Sequence, residues 1–583
     1  MGQPHYTSEK GTQILIALLK AFGIKKVIAS PGTTNMAFVG SVQNDPWFEM
    51  YSSVDERSAA YMACGMAAES GEPVVITCTG ATASRNYMPG MTEAYYRKLP
   101  VIAVTYNAGI DKKHHLIAQQ IDRAVTPVDV SKMAVTIPRI KDADDAWLAN
   151  VDINKALLEL THHGGGPVHI NISNEYSRDF SVMKLPQQRK INRFCYGDTL
   201  PPIDPKKKVM ITVGSHKPFT EQETAAIDSF CATYDAVVLC DHTSGYYGEY
   251  RFQSSLVGCG PNHSLAGIDL LIHIGEVSGD YYRGMDVKEA WRVNPDGEVK
   301  DTFRVLTNVF EMEEADFFNH YAQQDAEPKR ALLDSCLEED AAVRDMIPEL
   351  PFGNIWIAQH TADKFPVDSI VYLGILNSLR SWNLFTFPRG VKGDSNVGGF
   401  GIDGALSTLL GASLAMPDKL HFAIVGDLAF FYDMNALGNR YLGNNLRIML
   451  INNGRGAEFT NYGHFAHAFG KDAEPFIAAD GHYGHQSAKL VRHYAEDLGF
   501  EYITAHDKES YAETMEKFLQ PGIGDKPILL EVFTDPKDES DAIETILTLR
   551  KDEGANSIKG KIKKAAKEVL GEKGIKIIRI LKE

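Results

Sequence analysis

At 583 residues the chain is several domains long, since one hydrophobic core rarely organises more than roughly 250 to 300 residues. Hydrophobic residues at 44% and charged residues at 23% exclude a disordered or membrane-spanning composition. A formal net charge of −17 argues against DNA or an anionic membrane as partner for the chain as a whole.

The N-terminus, MGQPHYTSEK, has no apolar signal core, and no apolar run approaches the roughly 18 residues of a membrane span. The seven cysteines are odd in number and form no C-x-x-C pair, so neither a disulfide frame nor a zinc knuckle is expected. A reducing cytoplasm is the expected location. Short β-branched runs ending at Gly, Asp or Asn alternate with helical patterns, which predicts an α/β fold with mainly parallel sheets. The first helix shows the pattern: Ser8 is placed to cap it, Ile14, Leu15, Leu18, Leu19 and Phe22 recur at helical spacing, and Gly23 ends it before a strand at 26–29. Further strands are predicted at 74–78, 101–105 and 167–172. Residues 186–207, rich in proline and charge, read as a linker.

A second unit, 208–345, has predicted strands at 208–213, 235–240 and 269–274. Its strand ends, Gly214, Asp241 and Gly275, show no catalytic pairing, so a structural or regulatory role is expected. A third, 350–540, carries strands at 370–374, 421–425, 447–451 and 528–533. Three doubly wound parallel-sheet domains result, 1–185, 208–345 and 350–540, followed by a basic extension, 541–583. The last 33 residues hold nine Lys and one Arg against five acids, leaving about −22 for the rest of the chain. Ile558, Ile562, Ala566 and Val569 share one helical stripe there. This predicts a helix docking on the protein's own acidic surface or a sister subunit, with a separate partner or membrane contact as the alternative.

The chemistry concentrates in AIVGDLAFFYDMNALGNRYLGNNLRIMLINNGRG, residues 423–456. One apolar strand ends at Gly426-Asp427, a helix opens at once through Leu428, and a second strand ends at Asn452-Asn453. Open parallel sheets bind ligands at the carboxyl ends of their strands, so both polar pairs are positioned to enter one crevice. Gly426 admits a phosphate close to the backbone, and the helix N-terminus favours an anion. Asp427 and Asn453 supply hard oxygen ligands of the kind Mg²⁺ takes while holding a diphosphate.

This spacing resembles the motif of thiamine diphosphate enzymes, and other segments match. SSVDERSAAYMACGMA presents Glu56 at a strand end before a small-residue helix, as that family presents its catalytic acid; without the flanks it reads as a solvated first-turn acid. TCTGATASRN resembles the family's pyrimidine-domain turn, with Gly80, Thr82 and Asn86 facing the cofactor. In SNVGGFGIDGALST the resemblance makes Ile402 the apolar support beneath the cofactor and the Phe400 carbonyl the acceptor of its amine, with plain core packing as the alternative for Ile402. The resemblance further implies Asp427, Asn453 and the main-chain oxygen of Arg455 as magnesium ligands, Asn377 and Ser378 near the diphosphate, and a homodimer or homotetramer. Glu56 of one subunit then reaches cofactor bound to its partner. There a buried carboxyl hydrogen-bonded to the pyrimidine nitrogen prepares the exocyclic amine to take the C2 proton.

Within that family the pattern is most similar to the SEPHCHC synthases, menaquinone-pathway carboligases that decarboxylate 2-oxoglutarate and add the acyl-anion equivalent to isochorismate. The matching pieces are SPGTTN, YLGILNSL, SNVGGFGIDGALST and GDLAFFYDMNAL, across about residues 10–540. Two carboxylate-binding arginines of those synthases are Thr34 and Val397 here, and neither side chain can form a bidentate fork. Arg380 and Arg283 fall near other expected substrate arginines, with a surface ion pair as the alternative. His114, His115 and Glu458 resemble the proton-relaying groups of pyruvate decarboxylase-like enzymes, although Gln119 or Gln120 resembles a carboligase glutamine. His464, His467, His482 and His485 form two H-x-x-H pairs, read as an active-site cover rather than zinc ligands.

The expected activity is a thiamine diphosphate- and Mg²⁺-dependent carboligase that joins a small 2-oxoacid donor to a carbonyl or alkene acceptor. A decarboxylase releasing an aldehyde is the alternative, and an inactive scaffold a third reading. No nucleic acid or membrane span is expected.

Overall fold

The computed structural model describes residues 3–108, 112, 115–121, 126–260, 263–280, 285–323, 327–481 and 487–550. They form two compact units, Met1–Thr199 with Asp296–Glu311, and Leu200–Pro295 with the chain from Met312 on.

The first unit carries β1 (Lys26–Ala29), β2 (Glu49–Ser52), β3 (Val74–Cys78), β4 (Val101–Asn107), β5 (Met133–Ile137) and β6 (Val168–Ser173). They form one parallel sheet in the order β2-β1-β3-β4-β6-β5. β7 (Asn192–Cys195) follows in the same unit. The second unit opens with β8 (Val209–Val213), β9 (Val237–Cys240), β10 (Arg251–Gln253), β11 (Leu270–Ile274) and β12 (Ala290–Val293), ordered β10-β9-β8-β11-β12. β13 (Leu306–Glu311) belongs to the first unit and pairs in parallel with β7, setting Glu311 opposite Cys195. The second unit then adds β14 (Ile370–Leu373), β15 (Lys392–Asp394), β16 (His421–Gly426), β17 (Leu446–Asn452), β18 (Glu501–Ala505) and β19 (Ile528–Phe533). Their order is β15-β14-β16-β17-β19-β18, again all parallel.

The α/β reading holds, and the sheets are covered on both faces. Along β3, Val74 and Ile76 pack into one core and Val75 into another; along β16, Phe422 and Ile424 pack into one core, Ala423 and Val425 into a second. Such central strands are apolar throughout because both faces are buried. Counted from its own first strand, each six-stranded sheet has the order 2-1-3-4-6-5. Each therefore has a switch point where the chain turns back across its first strand, between β1 and β3 and between β14 and β16.

Several boundaries differ from the expectation. Ser8 does not cap the first helix, Lys10–Ala21: its N–H bonds the Asp179 carbonyl and its hydroxyl pairs with Ser177 at 2.8 Å, so a tertiary contact takes the residue. β7 lies inside the stretch read as a linker. The helix Pro536–Thr548 runs across the 540/541 boundary and buries Ala542 and Ile546 in the last core. The extension beyond residue 550 lies outside the described residues. Asp241 accepts hydrogen bonds from Thr243 N–H at 2.7 Å, Thr243 Oγ1 at 2.6 Å and Ser278 Oγ at 2.8 Å, which is a structural use. Among the described residues no helix is long and apolar enough to cross a membrane.

Next to it, His242 is fully buried. Its Nε2 lies 3.0 Å from the carbonyls of Trp382 and Phe385, and its ring stacks on Phe387 at 3.7 Å. Burial, with Arg251 adding to it, pushes the imidazole down from 6.5 to about 3. A depressed basic group contributes its stability in full above pH 6.5 and loses it as the pH falls toward 3, at up to about 1.4 kcal/mol per pH unit. Urea unfolding from pH 7 down to about 4 should show this slope in the native chain and a shallower one in His242→Gln.

Candidate active site

In the second unit the two polar pairs lie at the carboxyl ends of the adjacent strands β16 and β17. Asp427 is the first residue of the helix Asp427–Asp433 and is buried, 4% exposed. Burial pushes its carboxyl up to about 6, against hydrogen bonds from the backbone N–H groups of Leu428, Gly454, Asn453 and Arg455 that pull it down. The Leu428 contact is 2.7 Å. The GD and NN segments therefore meet around one carboxylate. The two asparagines divide the work. Asn452 is buried, donates to Glu531 Oε1 at 2.7 Å and accepts from Gly454 N–H; half-buried Asn453 holds the loop through Arg455 N–H at 3.3 Å. The Arg455 side chain pairs with Glu474 and Asp480, both at 3.0 Å, which fixes the backbone that carries its carbonyl.

A cation fits here on the chemistry of the donors. A carboxylate held in low dielectric among N–H dipoles, with Glu539 near enough to feel its charge, is relieved by a nearby positive charge, and oxygen donors suit a hard divalent ion. Room for a phosphate is shown at Gly426, where a built Cβ meets nothing within 4 Å and the backbone is ordinary and extended (φ −75°).

The other side of this switch point is the turn Gly374–Ser378. Leu376 takes φ +67° ahead of the helix Asn377–Trp382. Buried Ser378 lies 3.5 Å from Asn354 Nδ2; the Asn354 carbonyl oxygen of its side chain accepts from Trp382 Nε1 at 2.9 Å, and its backbone N–H donates to Glu539 at 2.9 Å. Glu539 also accepts from Thr534 Oγ1 at 2.9 Å; burial pushes it up to about 7, and the charge of Asp427 adds to that rise. Sequence reading missed Glu539. The available signal was an acid on the apolar i, i+3, i+7 stripe with Ala542 and Ile546.

Asn377, Arg380, Glu458, Asn461 and His464 line a cavity of about 470 Å³. Arg380 forms an ion pair with Glu458, each partner mostly buried, and Asn461 Nδ2 lies 3.4 Å from Asn377 Oδ1. Arg380 is thus inside a cavity and not on the surface, and Glu458 is engaged by it. The SNVGGFGIDG loop lines a second cavity, of about 750 Å³, with Ser215–Pro218. Within that loop Phe400 takes φ +54°, and Ile402 packs half-buried against Tyr372, Ala405 and their cluster. Non-glycine residues with positive φ are strained and collect at working sites.

In the first unit the matching switch point joins SPGTTN to TCTGATAS. Gly80 N–H donates to Thr34 Oγ1 at 2.9 Å, and a Cβ on Gly32 would fall 2.0 Å from Thr79 Oγ1, so only glycine fits. Ala81 takes φ +60° before the helix Thr82–Asn86, where Thr82 and Asn86 are exposed. Glu56 opens the helix Glu56–Ser70, half-buried; Asp55, not Glu56, caps it by accepting Ser58 N–H at 3.2 Å. Tyr87, raised well above the usual phenol range chiefly by burial, feels the Glu56 charge as well.

Thr34 and Val397 are both buried, Thr34 committed to Gly80 and Val397 to the core around Leu379. His115 is exposed, and His464 accepts from Ala466 N–H through Nδ1 at 3.1 Å. His467 packs edge-on against Tyr462. His114, Arg283, His482 and His485 lie outside the described residues.

Two substitutions separate folding from binding here. Gly426→Ala should unfold in urea within about 0.5 kcal/mol of the native chain while weakening any diphosphate ligand measured by calorimetry. Thr34→Val leaves a buried N–H without its acceptor and should cost about 1–3 kcal/mol, with Thr34→Ser restoring it.

Residues 9–126 match the family described as thiamine pyrophosphate enzyme, N-terminal TPP binding domain. The chain is 31% identical over 552 residues to the 2-succinyl-5-enolpyruvyl-6-hydroxy-3-cyclohexene-1-carboxylate synthase of Bacteroides fragilis, covering 91% of this chain and 97% of that protein. The synthase of the same name from Phocaeicola vulgatus is 31% identical over 555 residues, covering 92% and 97%. Among solved structures, the thiamine diphosphate-dependent 4-hydroxybenzoylformate decarboxylase of Rhodococcus jostii RHA1 aligns with 90% of this chain and 99% of its own, at 16% identity and a TM-score of 0.40.

Proposed function

This chain belongs to the family of the 2-succinyl-5-enolpyruvyl-6-hydroxy-3-cyclohexene-1-carboxylate synthases, thiamine diphosphate-dependent enzymes, and on that premise we propose that it is a Mg²⁺-assisted carboligase that decarboxylates a small 2-oxoacid and joins the remaining acyl unit to a carbonyl or alkene acceptor. The observation that carries the proposal is the buried Asp427 carboxylate at the meeting of the Gly426-Asp427 and Asn453–Arg455 segments. Asp427, the Asn453 side-chain oxygen and the Arg455 carbonyl are the proposed metal ligands. Gly426, with Asn377 and Ser378 opposite, receives the diphosphate at the opening of the helix, where Leu428 N–H holds Asp427 in place. Ile402 supports the cofactor from its apolar side, the Phe400 carbonyl accepts from its amine, and Gly80, Thr82 and Asn86 form the pyrimidine-side turn. When bound, thiamine diphosphate supplies a nucleophilic carbon and an electron sink for loss of carbon dioxide.

Glu56 is the proposed catalytic acid, holding a proton at the pyrimidine nitrogen. It acts across a subunit boundary in a dimer or tetramer. Supporting this, its helix, the loop before it and the adjoining β2 expose Tyr51, Val54, Tyr61 and Met62, large apolar groups suited to cover by a second copy. Ligation is favoured over aldehyde release because Glu458 is already paired with Arg380. A carboxylate held in a guanidinium ion pair is turned to that partner and not to a bound intermediate. Burial of Thr34 and Val397 also argues that the acids used here are gripped differently from those of a chain with arginines there, and Arg380 supplies a guanidinium in the Asn377–Glu458 cavity.

Carbon dioxide release should be followed over a panel of 2-oxoacids with and without acceptors, and the products identified. Ligated product that depends on thiamine diphosphate and Mg²⁺ is expected; free aldehyde alone would leave only a decarboxylase. Glu56→Gln should lower turnover about a hundredfold or more while the coenzyme still binds, and Arg380→Met should shift products toward aldehyde. Sedimentation should give a dimer or larger; full activity in a monomer would refute the shared site.

A further inference from the structure

Away from the switch points, the first unit gathers a second set of chemically capable groups. The turn His162–Gly164 follows the helix Ala143–Leu158, and His163 within it takes φ +46°, ψ +51°. This conformation brings both imidazoles over the end of β13. His162 Nε2 lies 2.8 Å from Glu311 Oε2 and His163 Nε2 lies 2.6 Å from Glu311 Oε1, with the two rings 3.8 Å apart. Cys195, directly across the strand pair from Glu311, places its Sγ 3.9 Å from Oε2. The base is rigid, because Phe194 and Phe310 stack at 5.3 Å one residue before.

The outer contacts decide what belongs in the middle. His162 Nδ1 faces Glu159 Oε1 at 2.9 Å, and Glu159 is itself held by Arg193 at 3.1 Å. With its proton on Nδ1, His162 turns the Nε2 lone pair toward a carboxylate oxygen, which is repulsive unless a cation lies between. His163 Nε2 can serve Glu311 as a neutral N–H donor, so only His162 faces a carboxylate from both ring nitrogens; one divalent ion shared by the two Nε2 atoms and Glu311 meets every one of these contacts at once. The carboxylate-to-histidine contact behind it is the arrangement that orients metal-bound imidazoles.

We propose that His162 and His163 (both through Nε2), Glu311 and the Cys195 thiolate form a Zn²⁺ site. Three donors, the Nε2 atoms of His162 and His163 and a Glu311 oxygen, lie within 4.8 Å of one another, and the Cys195 sulfur, 3.9 Å from Glu311, turns inward to complete the four-coordinate set that zinc prefers. On binding, the Cys195 thiol gives its proton to solvent, and the +2 ion balances the thiolate and the carboxylate, leaving a neutral centre. The ion fastens the 162–164 turn to β7 and β13, whose sequence positions are far apart, so it staples a long loop of the first unit. This site is separate from the proposed oxygen-donor site at Asp427, and its chemistry selects a softer metal.

The test is metal analysis of the full chain after equilibration with Zn²⁺ and desalting, in Mg²⁺-containing buffer. One Zn²⁺ per chain is expected. Retention should be lost in His162→Ala and Glu311→Gln, weakened about tenfold in Glu159→Gln, and kept in Asp427→Asn. With Co²⁺ in place of Zn²⁺, the native chain should show a near-ultraviolet thiolate-to-cobalt band that Cys195→Ser removes. Because that band is read on the native chain, it does not depend on any variant folding. No retained Zn²⁺, zinc retained equally by the His162 and Glu311 variants, or cobalt binding without the thiolate band would each overturn the proposal.

Discussion

A carboxylate buried at the end of a strand governs the candidate site of the second unit. Asp427 is out of water at the opening of a helix, and burial raises its pKa to about 6 even though four backbone N–H groups point toward it. Dipoles alone do not offset the loss of solvation. The surroundings follow from that deficit. The Asn453–Arg455 loop is pinned by side-chain bonds from both asparagines and by the two ion pairs of Arg455. Glu539, a second buried acid that feels the Asp427 charge, is satisfied by Asn354 and Thr534 and braces the opposite turn.

The repeated strand order explains why each unit has a crevice of its own. Each 2-1-3-4-6-5 sheet opens a crevice at its switch point. The two crevices are chemically unlike. In the first unit the crevice is closed by Thr34 against Gly80 and by Gly32 against Thr79, and the acid stands nearby on the helix that follows β2. In the second it is lined by oxygen donors and opens at Gly426. One scaffold thus yields a crevice beside an acid in the first unit and a crevice of oxygen donors in the second. The middle sheet takes no such role: its polar strand end, Asp241, is consumed by Thr243 and Ser278.

Three of the twelve described non-glycine residues with positive φ, Ala81, Leu376 and Phe400, sit in segments proposed to bind the cofactor. Strain of this kind persists only where neighbours over-determine it, as Asn354 and Trp382 do around the turn after Leu376.

What the sequence determined by itself was whatever is local. Apolar runs buried on both faces announced β3, β4, β16, β17 and β19, and the Gly-Asp and Asn-Asn ends of two of them announced the polar pairs of one strand-end crevice, because a strand end and the helix after it are written in consecutive residues. The four-residue edge strand β7 left no pattern long enough to read, and Ser8 was drawn to Ser177 and Asp179 by a contact 169 residues away. The tertiary structure alone decided partnership: that Glu458 belongs to Arg380, that Thr34 serves Gly80, that Glu539 stands behind Ser378, and that two histidines meet a glutamate and a cysteine from distant strands. Such pairings depend on which loops the sheet order brings to one edge, and no spacing along a single chain encodes that.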